Sequence, residues 1–424
     1  MKRVVAFIGL LVIINYAHSQ NNLEYYVQQA EINSPILKEN LNLQEIGEIQ
    51  NNIIWAQNNA LQINSTSEIQ VAPYFNNNGK FIDLSTNPSS SAFGYDVGIT
   101  NGGLYSSQIN FTKNILNGAI TQNLLLQNKA NIATTKLNYE EQNHQLKKDI
   151  IDTYILIYQL QEQKKLTTYS LKDISTKIEV IRIMVEHGIL MQSDLLLAKS
   201  ELTNKELEVT QIKNTLENSL LQLNNLCGIK APLNESLEKP VIHSNSISDT
   251  LFLTKRFVND SLQIAADKLV FENQYKPQFS VYGNTGLNAI ELNNLEHKVG
   301  LSAGVKLTIP IYDGKQKKLN AKQSKLKLDN LKYYKENKEV LLDNNLQNTK
   351  LQITNLKGSL SVIEDQKTQQ KQLLKIYEEK LLKGLISMVE YLNIYQNYNV
   401  IKNTELQVQT NIRLLENQYN FLNW

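Results

Sequence analysis

Two hydrophobic periods alternate along this 424-residue chain. Over long stretches apolar residues recur at helical steps, as in Leu146, Ile150, Tyr154 and Ile157, which is one face of an amphipathic helix. Ahead of each such stretch the period falls to two. Val299, Leu301, Ala303, Val305, Leu307 and Ile309 alternate with Gly300, Ser302, Gly304, Lys306 and Thr308, so every apolar side chain falls on one face of a strand. Its partner is predicted over Gln278 to Leu287, joined through a polar loop from Asn288 to Lys298. In the first half of the chain Ile69, Val71 and Phe75 alternate likewise, as do Tyr95, Val97 and Ile99. A loop of Asn, Ser and Pro from Asn76 to Ser91 separates them. The pattern predicts four strands in two hairpins.

The helical stretches are long. Between Gly118 and Gly188 lie 69 residues with neither Gly nor Pro, and the stretch from Lys315 to Lys383 contains only Gly358. With no breaker, each reads as one helix, and about 70 residues rising ~1.5 Å each extend about 105 Å. A second helix follows each glycine, from about Ile189 to Leu226 and from Leu385 onward. There Leu195, Leu202, Val209, Leu216 and Leu223 stand seven apart, as do Tyr391 and Tyr398, and Ile412 and Tyr419. Such heptads predict coiled-coil packing on the preceding helix. Shorter helices, at Leu23 to Ala60 and Phe252 to Tyr275, precede the two hairpins.

These elements recur at a constant offset. Asn114-Ile115-Leu116-Asn117-Gly118 and Pro310-Ile311-Tyr312-Asp313-Gly314 each open a long helix, with 314 − 118 = 196, and Gly188-Ile189 and Gly384-Leu385 each interrupt one, with 384 − 188 = 196. The chain is expected to be two structural repeats, 20–227 and 228–424, behind a signal peptide at 1–19. That leader pairs Lys2 and Arg3 with an apolar run from Val4 to Ile14 and closes on Ala17-His18-Ser19, a secretory signature.

Composition narrows the possibilities. Cys227 is the only cysteine, which excludes an internal disulfide and a lipid anchor on a new N-terminal cysteine. Beyond the leader no run of about 18 apolar residues occurs, so no transmembrane helix is expected. A bilayer, if spanned, is spanned by strands of about the 9 to 11 residues that a tilted strand needs. Aromatics stand nearby at Tyr74, Tyr95, Phe111, Phe279 and Tyr282, as barrel girdles require. Four strands cannot close on themselves, and an open edge in hydrocarbon leaves backbone groups unpaired. Closure therefore needs a dimer or a trimer; arithmetic does not choose. The alternative is a small soluble antiparallel sheet. A net charge of +2 without a basic patch gives no reason for a nucleic-acid partner. His144, His187, His243 and His297 are scattered without ligand spacing. No nucleophile, phosphate-loop or metal pattern occurs, so neither enzyme activity nor a cofactor is expected.

Lys276-Pro277-Gln278-Phe279, the alternating strand and Ile309-Pro310-Ile311-Tyr312-Asp313-Gly314 resemble the TolC-like outer membrane efflux family. So do the tip segment Gly384 to Asn393, with its Gly-Leu and an acid six positions on, and the first-half equivalents Gly188-Ile189 with Asp194. No single motif is highly specific; their order and doubled layout carry the resemblance over nearly all of the mature chain. It implies a mostly α fold with a β-barrel portion: a trimeric 12-stranded outer-membrane β-barrel, four strands per chain, continued by a long 12-helix periplasmic α-barrel. An equatorial region would be built from the segment after Cys227 and the C-terminal end. It further implies a homotrimer in the outer membrane of a Gram-negative bacterium, in contact with lipid. A periplasmic adaptor (membrane fusion) protein and an inner-membrane pump or ABC transporter would be its partners, in efflux or type I secretion.

The resemblance also assigns roles. Gly188, Ile189, Gly384 and Leu385 form the periplasmic tip turns that dock an adaptor. Asn117, Gly118, Pro310, Asp313 and Gly314 form the strand-to-helix junctions. Ser193, Asp194, Glu390 and Asn393 stand at an entrance constriction. Three copies of Glu390 would set a ring of negative charge favouring cations. Asn393 occupies a place where a second acid is common, which weakens that ring. Ile386 stands where some members carry an arginine that pairs with the Ser193-Asp194 region, so that salt bridge cannot form here. A plain helix N-terminal acid is the other reading of both Asp194 and Glu390. For the whole chain the alternatives are a soluble secreted coiled-coil scaffold and a periplasmic adaptor, the latter disfavoured because an adaptor carries one helical hairpin where this chain carries two.

Overall fold

A computed structural model describes residues 22–70, 105–230, 236–242, 252–289 and 292–424. Among them the helices are α1 (Leu23–Asn33), α2 (Pro35–Asn59), α3 (Gly118–Glu186), α4 (Gln192–Cys227), α5 (Phe252–Glu272), α6 (Gln316–Leu382) and α7 (Met388–Leu422). The strands are β1 (Gln62–Ile69), β2 (Tyr105–Asn114), β3 (Gln278–Ala289) and β4 (Val299–Thr308), in one antiparallel sheet of order β1-β2-β3-β4. Short 3-10 turns follow α5 and bridge β3 to β4.

The second hairpin falls where period-two alternation puts it. The first does not. Its described strands lie at 62–69 and 105–114, and only Ile69 of the six residues used to predict it is in a described strand. Val71, Phe75, Tyr95, Val97 and Ile99, with Tyr74 and the loop at 76–91, lie outside the described residues, as do the leader and His243. Gln62-Ile-Asn-Ser-Thr-Ser-Glu-Ile69 is polar on both faces through most of its length, so hydrophobic alternation could not reveal it. It is held by backbone pairing to β2 and by polar cross-strand contacts, Ser67 Oγ to Ser107 Oγ at 2.9 Å and Asn110 Nδ2 to Thr66 Oγ1 at 2.8 Å.

The chain divides into two compact units, one of Met1–Leu41, Lys136–Arg256 and Tyr333–Trp424, the other of Asn42–Thr135 and Phe257–Lys332. In the first, two apolar clusters form the core. One joins Tyr26 and Ala30 of α1 to Ile150, Tyr154 and Ile157 of α3 and to Leu216, Leu220, Leu223 and Cys227 of α4. The heptad leucines Leu216 and Leu223 are thus buried, while Val209 is half-buried. The other cluster lies where α3, α4, α6 and α7 meet near their turns, and includes Ile174, Leu195, Leu381, Met388 and Tyr391. The C-terminal Trp424 stacks on His144 at 4.0 Å and on Phe252 at 4.2 Å between ring centroids. Burial holds the His144 imidazole below its ordinary pKa.

In the second unit, asparagines and glutamines tie the helices together. Asn128 Nδ2 donates to the Gly47 carbonyl at 2.7 Å, Asn123 Nδ2 to Asn273 Oδ1 at 2.7 Å, and Gln127 Nε2 to Asp267 Oδ1 at 2.8 Å.

Candidate functional site

The pairing register gives the sheet two unlike faces. On one stand Phe279, Val281 and Leu287 of β3, Ile109 and Phe111 of β2, and Val299, Leu301, Ala303, Val305 and Leu307 of β4. On the other stand Gln62, Asn64 and Thr66 of β1, Gln108, Asn110 and Thr112 of β2, Ser280 and Asn284 of β3, and Ser302, Lys306 and Thr308 of β4. Successive side chains of a strand point to opposite faces, so the separation follows from register alone. Among the described residues nothing covers the apolar face of β4: Leu301 is 84% exposed and Val299 73%. Among the described residues β1 and β4 are the outer strands, and each leaves one row of backbone N–H and C=O groups without a neighbour in the sheet. Among the described residues no helix is long and apolar enough to cross a membrane.

On the polar face Tyr282 lies over Gly304, where an added Cβ would stand 2.6 Å from the ring. Gly286 has φ +150° and faces the Ser107 carbonyl and the Gln108 backbone so closely that no side chain fits. It is a place where only glycine lets β2 and β3 approach.

At the junctions, Asn117 is buried; its carbonyl accepts from Thr121 N at 2.8 Å and its Nδ2 donates to the Asn58 carbonyl at 3.1 Å. Gly118 is the first residue of α3. The second-half equivalent is built differently. Gly314 and Lys315 have φ +65° and +69°, so α6 begins at Gln316. Asp313 Oδ1 accepts from Lys315 N and Oδ2 from Lys317 N, both at 2.8 Å. These backbone donors, Lys317 first, hold the half-buried Asp313 carboxyl below its ordinary range. Pro310 and Ile311 are in the exposed connector between β4 and this turn.

The two tips are built alike. Gly188 (φ +70°) and Gly384 (φ +65°) are left-handed. Gly188 N donates to the Val185 carbonyl and Ile189 N to that of Met184, at 3.0 and 2.9 Å; Gly384 N and Leu385 N donate likewise to Leu381 and Lys380, at 2.9 and 3.0 Å. Both turns are Schellman motifs, which close the orphan carbonyls of a helix end and need a residue at ease with positive φ. Ile189 packs against Gly384, and Ile189 and Leu385 remain exposed.

The two equivalent acids behave differently. Asp194 is 6% exposed. Its Oδ2 accepts from Met191 N at 3.0 Å, capping α4, and its Oδ1 accepts at 2.9 Å from Met388 N, the first residue of α7 and 194 positions away. One carboxylate therefore satisfies a helix-start amide in each tip. Glu390 is exposed and local: Oε2 accepts from Ser387 N at 2.9 Å and Ser387 Oγ at 3.0 Å, while Ser387 Oγ accepts from Glu390 N at 3.4 Å. This is a capping box, and the Ser387 N–H and hydroxyl hold the Glu390 carboxyl below its ordinary value. Its Ser-x-x-Glu signature is legible in the sequence, whereas nothing in the sequence flags the Asp194 to Met388 bond. Ser193 and Asn393 are exposed on α4 and α7. Ile386, where a latch arginine would stand, is half-buried and packs on the core instead.

The profile of the outer membrane efflux protein family matches residues 82–229. None of the curated proteins matches the sequence. Solved channels match in fold. CusC aligns with TM-score 0.73 at 12% identity, over 94% of this chain and 91% of that one. The Campylobacter jejuni CmeC outer membrane channel aligns with TM-score 0.72 at 15% identity, over 95% and 85%. The open-state Neisseria gonorrhoeae MtrE outer membrane channel aligns with TM-score 0.69 at 15% identity, over 95% and 88%. Residues 82–229 thus resemble the outer membrane efflux protein family in sequence, and the chain has the fold of the TolC-like channels.

Proposed function

We propose that three copies of this chain form an outer-membrane duct for passive export, with the apolar sheet face toward lipid and the polar face toward a water-filled lumen. The observation that carries this reading is the two-faced sheet with both edges open. A β4 face as exposed as Leu301 needs a cover of hydrocarbon, and edge strands in hydrocarbon need partners. Pairing β1 of one copy with β4 of the next satisfies every edge, and three copies supply 3 × 4 = 12 strands. The outer membrane is the location, with the helices extending into the periplasm. The soluble-scaffold reading requires the apolar face to be buried by the chain's own helices, and the exposure of Val299 and Leu301 disfavours it.

On the same reading, residues 20–227 and 228–424 act as two repeats, each contributing a hairpin to the barrel and a helical pair to the tunnel. The turns at Gly188-Ile189 and Gly384-Leu385 meet a periplasmic adaptor serving an inner-membrane pump or secretion ATPase. The exposed apolar Ile189 and Leu385 support that docking role. Glu390, exposed beside Asn393 one turn away, is the candidate lining acid of the entrance, whereas buried Asp194 acts by tying the two tips of one chain together.

The test is the native mass of the protein extracted from outer membranes in detergent. A mass of three chains is expected; a stable monomer soluble without detergent would remove the duct. In planar bilayers, Asp194→Ala is expected to raise single-channel conductance by loosening the tips, and Glu390→Ala to lower cation preference. Unchanged conductance and selectivity in both would count against the entrance assignment.

A further inference from the structure

We infer that the cavity walled by α3, α6 and α7, beside the buried Tyr391, is a binding site for a small oxyanion, a carboxylate or a phosphate. The cavity measures about 580 Å³, within the range of small-molecule sites. Two of its donors lack an acceptor. The Tyr391 hydroxyl is fully buried and its O–H finds no acceptor; the polar group against it is the Lys177 ammonium, itself a donor. The Lys402 ammonium lies 5.6 Å from the Tyr169 ring centroid and 5.4 Å from that of Tyr398. No carboxylate among the described residues lies within 4.0 Å of it. The acid nearest in sequence, Glu405, is committed to Lys367, with both oxygens at 2.6 Å.

Ammonium and phenol both donate hydrogen bonds, so the missing partner is an acceptor. Charge gives its sign. Lys177 is already neutralised by Asp173 at 2.6 Å and Glu378 at 3.0 Å. Lys371 and Lys375 add two more cations to the wall. Four lysines against two carboxylates leave 4 − 2 = +2 around the cavity. A buried hydroxyl without a partner is costly, and ring faces stabilise the Lys402 charge without neutralising it. Burial, then Lys367 and Lys371, depress the Lys402 ammonium below the ordinary lysine range, a strain that a bound anion relieves. The site lies wholly within the unit that contains 333–424 and does not depend on the channel reading.

The experiment is calorimetric titration of the full-length protein in detergent with sodium phosphate and, separately, sodium benzoate, each against sodium chloride at matched ionic strength and pH 7. Saturable binding in at least one arm is expected. Phosphate alone identifies a phosphate-type ligand and benzoate alone a carboxylate, and both support the site. Lys402→Met keeps the aliphatic stem between the tyrosines and should weaken binding about tenfold or more, as loss of a charge-assisted bond does. Tyr391→Phe keeps the packing and should weaken it several-fold. Both variants are checked for native mass and helical circular dichroism. No saturable heat in either arm, or an unchanged Kd in a correctly assembled Lys402→Met variant, overturns the proposal.

Discussion

Replacing Asp194 by alanine should unfasten the two tips from one another. The substitution deletes the acceptor of two amides at once, Met388 N–H at 2.9 Å and Met191 N–H at 3.0 Å. The first bond is buried, so its amide cannot turn to water without local opening. An unsatisfied buried donor costs about 1–3 kcal/mol, and a lost helix cap about 1 kcal/mol. The sum is about 2–4 kcal/mol, concentrated where α7 begins. Asp194→Asn keeps one acceptor oxygen but turns an amide N–H₂ toward the other donor, so it should lose roughly half. The assay is residue-resolved hydrogen exchange. At about 1.4 kcal/mol per tenfold, exchange of the Met388 amide should accelerate by about 30-fold or more in Asp194→Ala and by less in Asp194→Asn. Glu390→Ala is the control, because its acceptor serves the exposed Ser387 and leaves the Met388 amide bonded to Asp194. If Met388 exchanged within threefold of wild type in Asp194→Ala, or as fast in Glu390→Ala, the cross-tip bond would not be what orders the turn.

Three further outcomes follow from the same geometry. Leu301→Lys puts a charge on the apolar face of β4 and should cost about 2–4 kcal/mol at bilayer depth, whereas Ser302→Lys next to it faces the other side. Thermal dissociation of the assembled protein should fall for the first and hold for the second, and equal effects would refute the facial assignment. Gly286→Ala forces a Cβ into the Ser107 carbonyl and Gln108 backbone and should destabilise the sheet by about 2 kcal/mol or more; an unaltered melting temperature would show that β2 and β3 can part there at no cost. The Glu390 carboxyl titrates below the ordinary glutamate value because the Ser387 donors favour its charged form. A depressed folded pKa means that its contribution is complete above the unfolded value near 4.5 and is lost as pH falls through the lower folded one. The start of α7 should therefore fray only below about pH 4.5, seen as faster exchange at Ser387, and Glu390→Gln should abolish that pH dependence.

The sequence by itself determined the elements whose cause is local. Some 69 residues without Gly or Pro can hardly avoid one helix, and α3 runs from Gly118 to Glu186. Strict alternation from Val299 fixes the apolar side of β4, because the face is a matter of residue parity. Gly188 and Gly384 announce turns because a Schellman end needs positive φ, and both glycines adopt it. What the tertiary structure decided is partnership. β1 is a strand although Gln62 to Ile69 shows no sustained alternation, since its stability comes from backbone pairing to residues 36 to 50 positions away. Asp194 and Glu390 hold equivalent places, yet one is buried as a bridge to Met388 and the other exposed as a local cap. No local rule separates them, because the difference lies in which helix start the fold brings within 3 Å. The unpartnered donors around Tyr391 are likewise invisible along the chain: they meet only because α3, α6 and α7 pack there, and packing joins residues more than 200 positions apart.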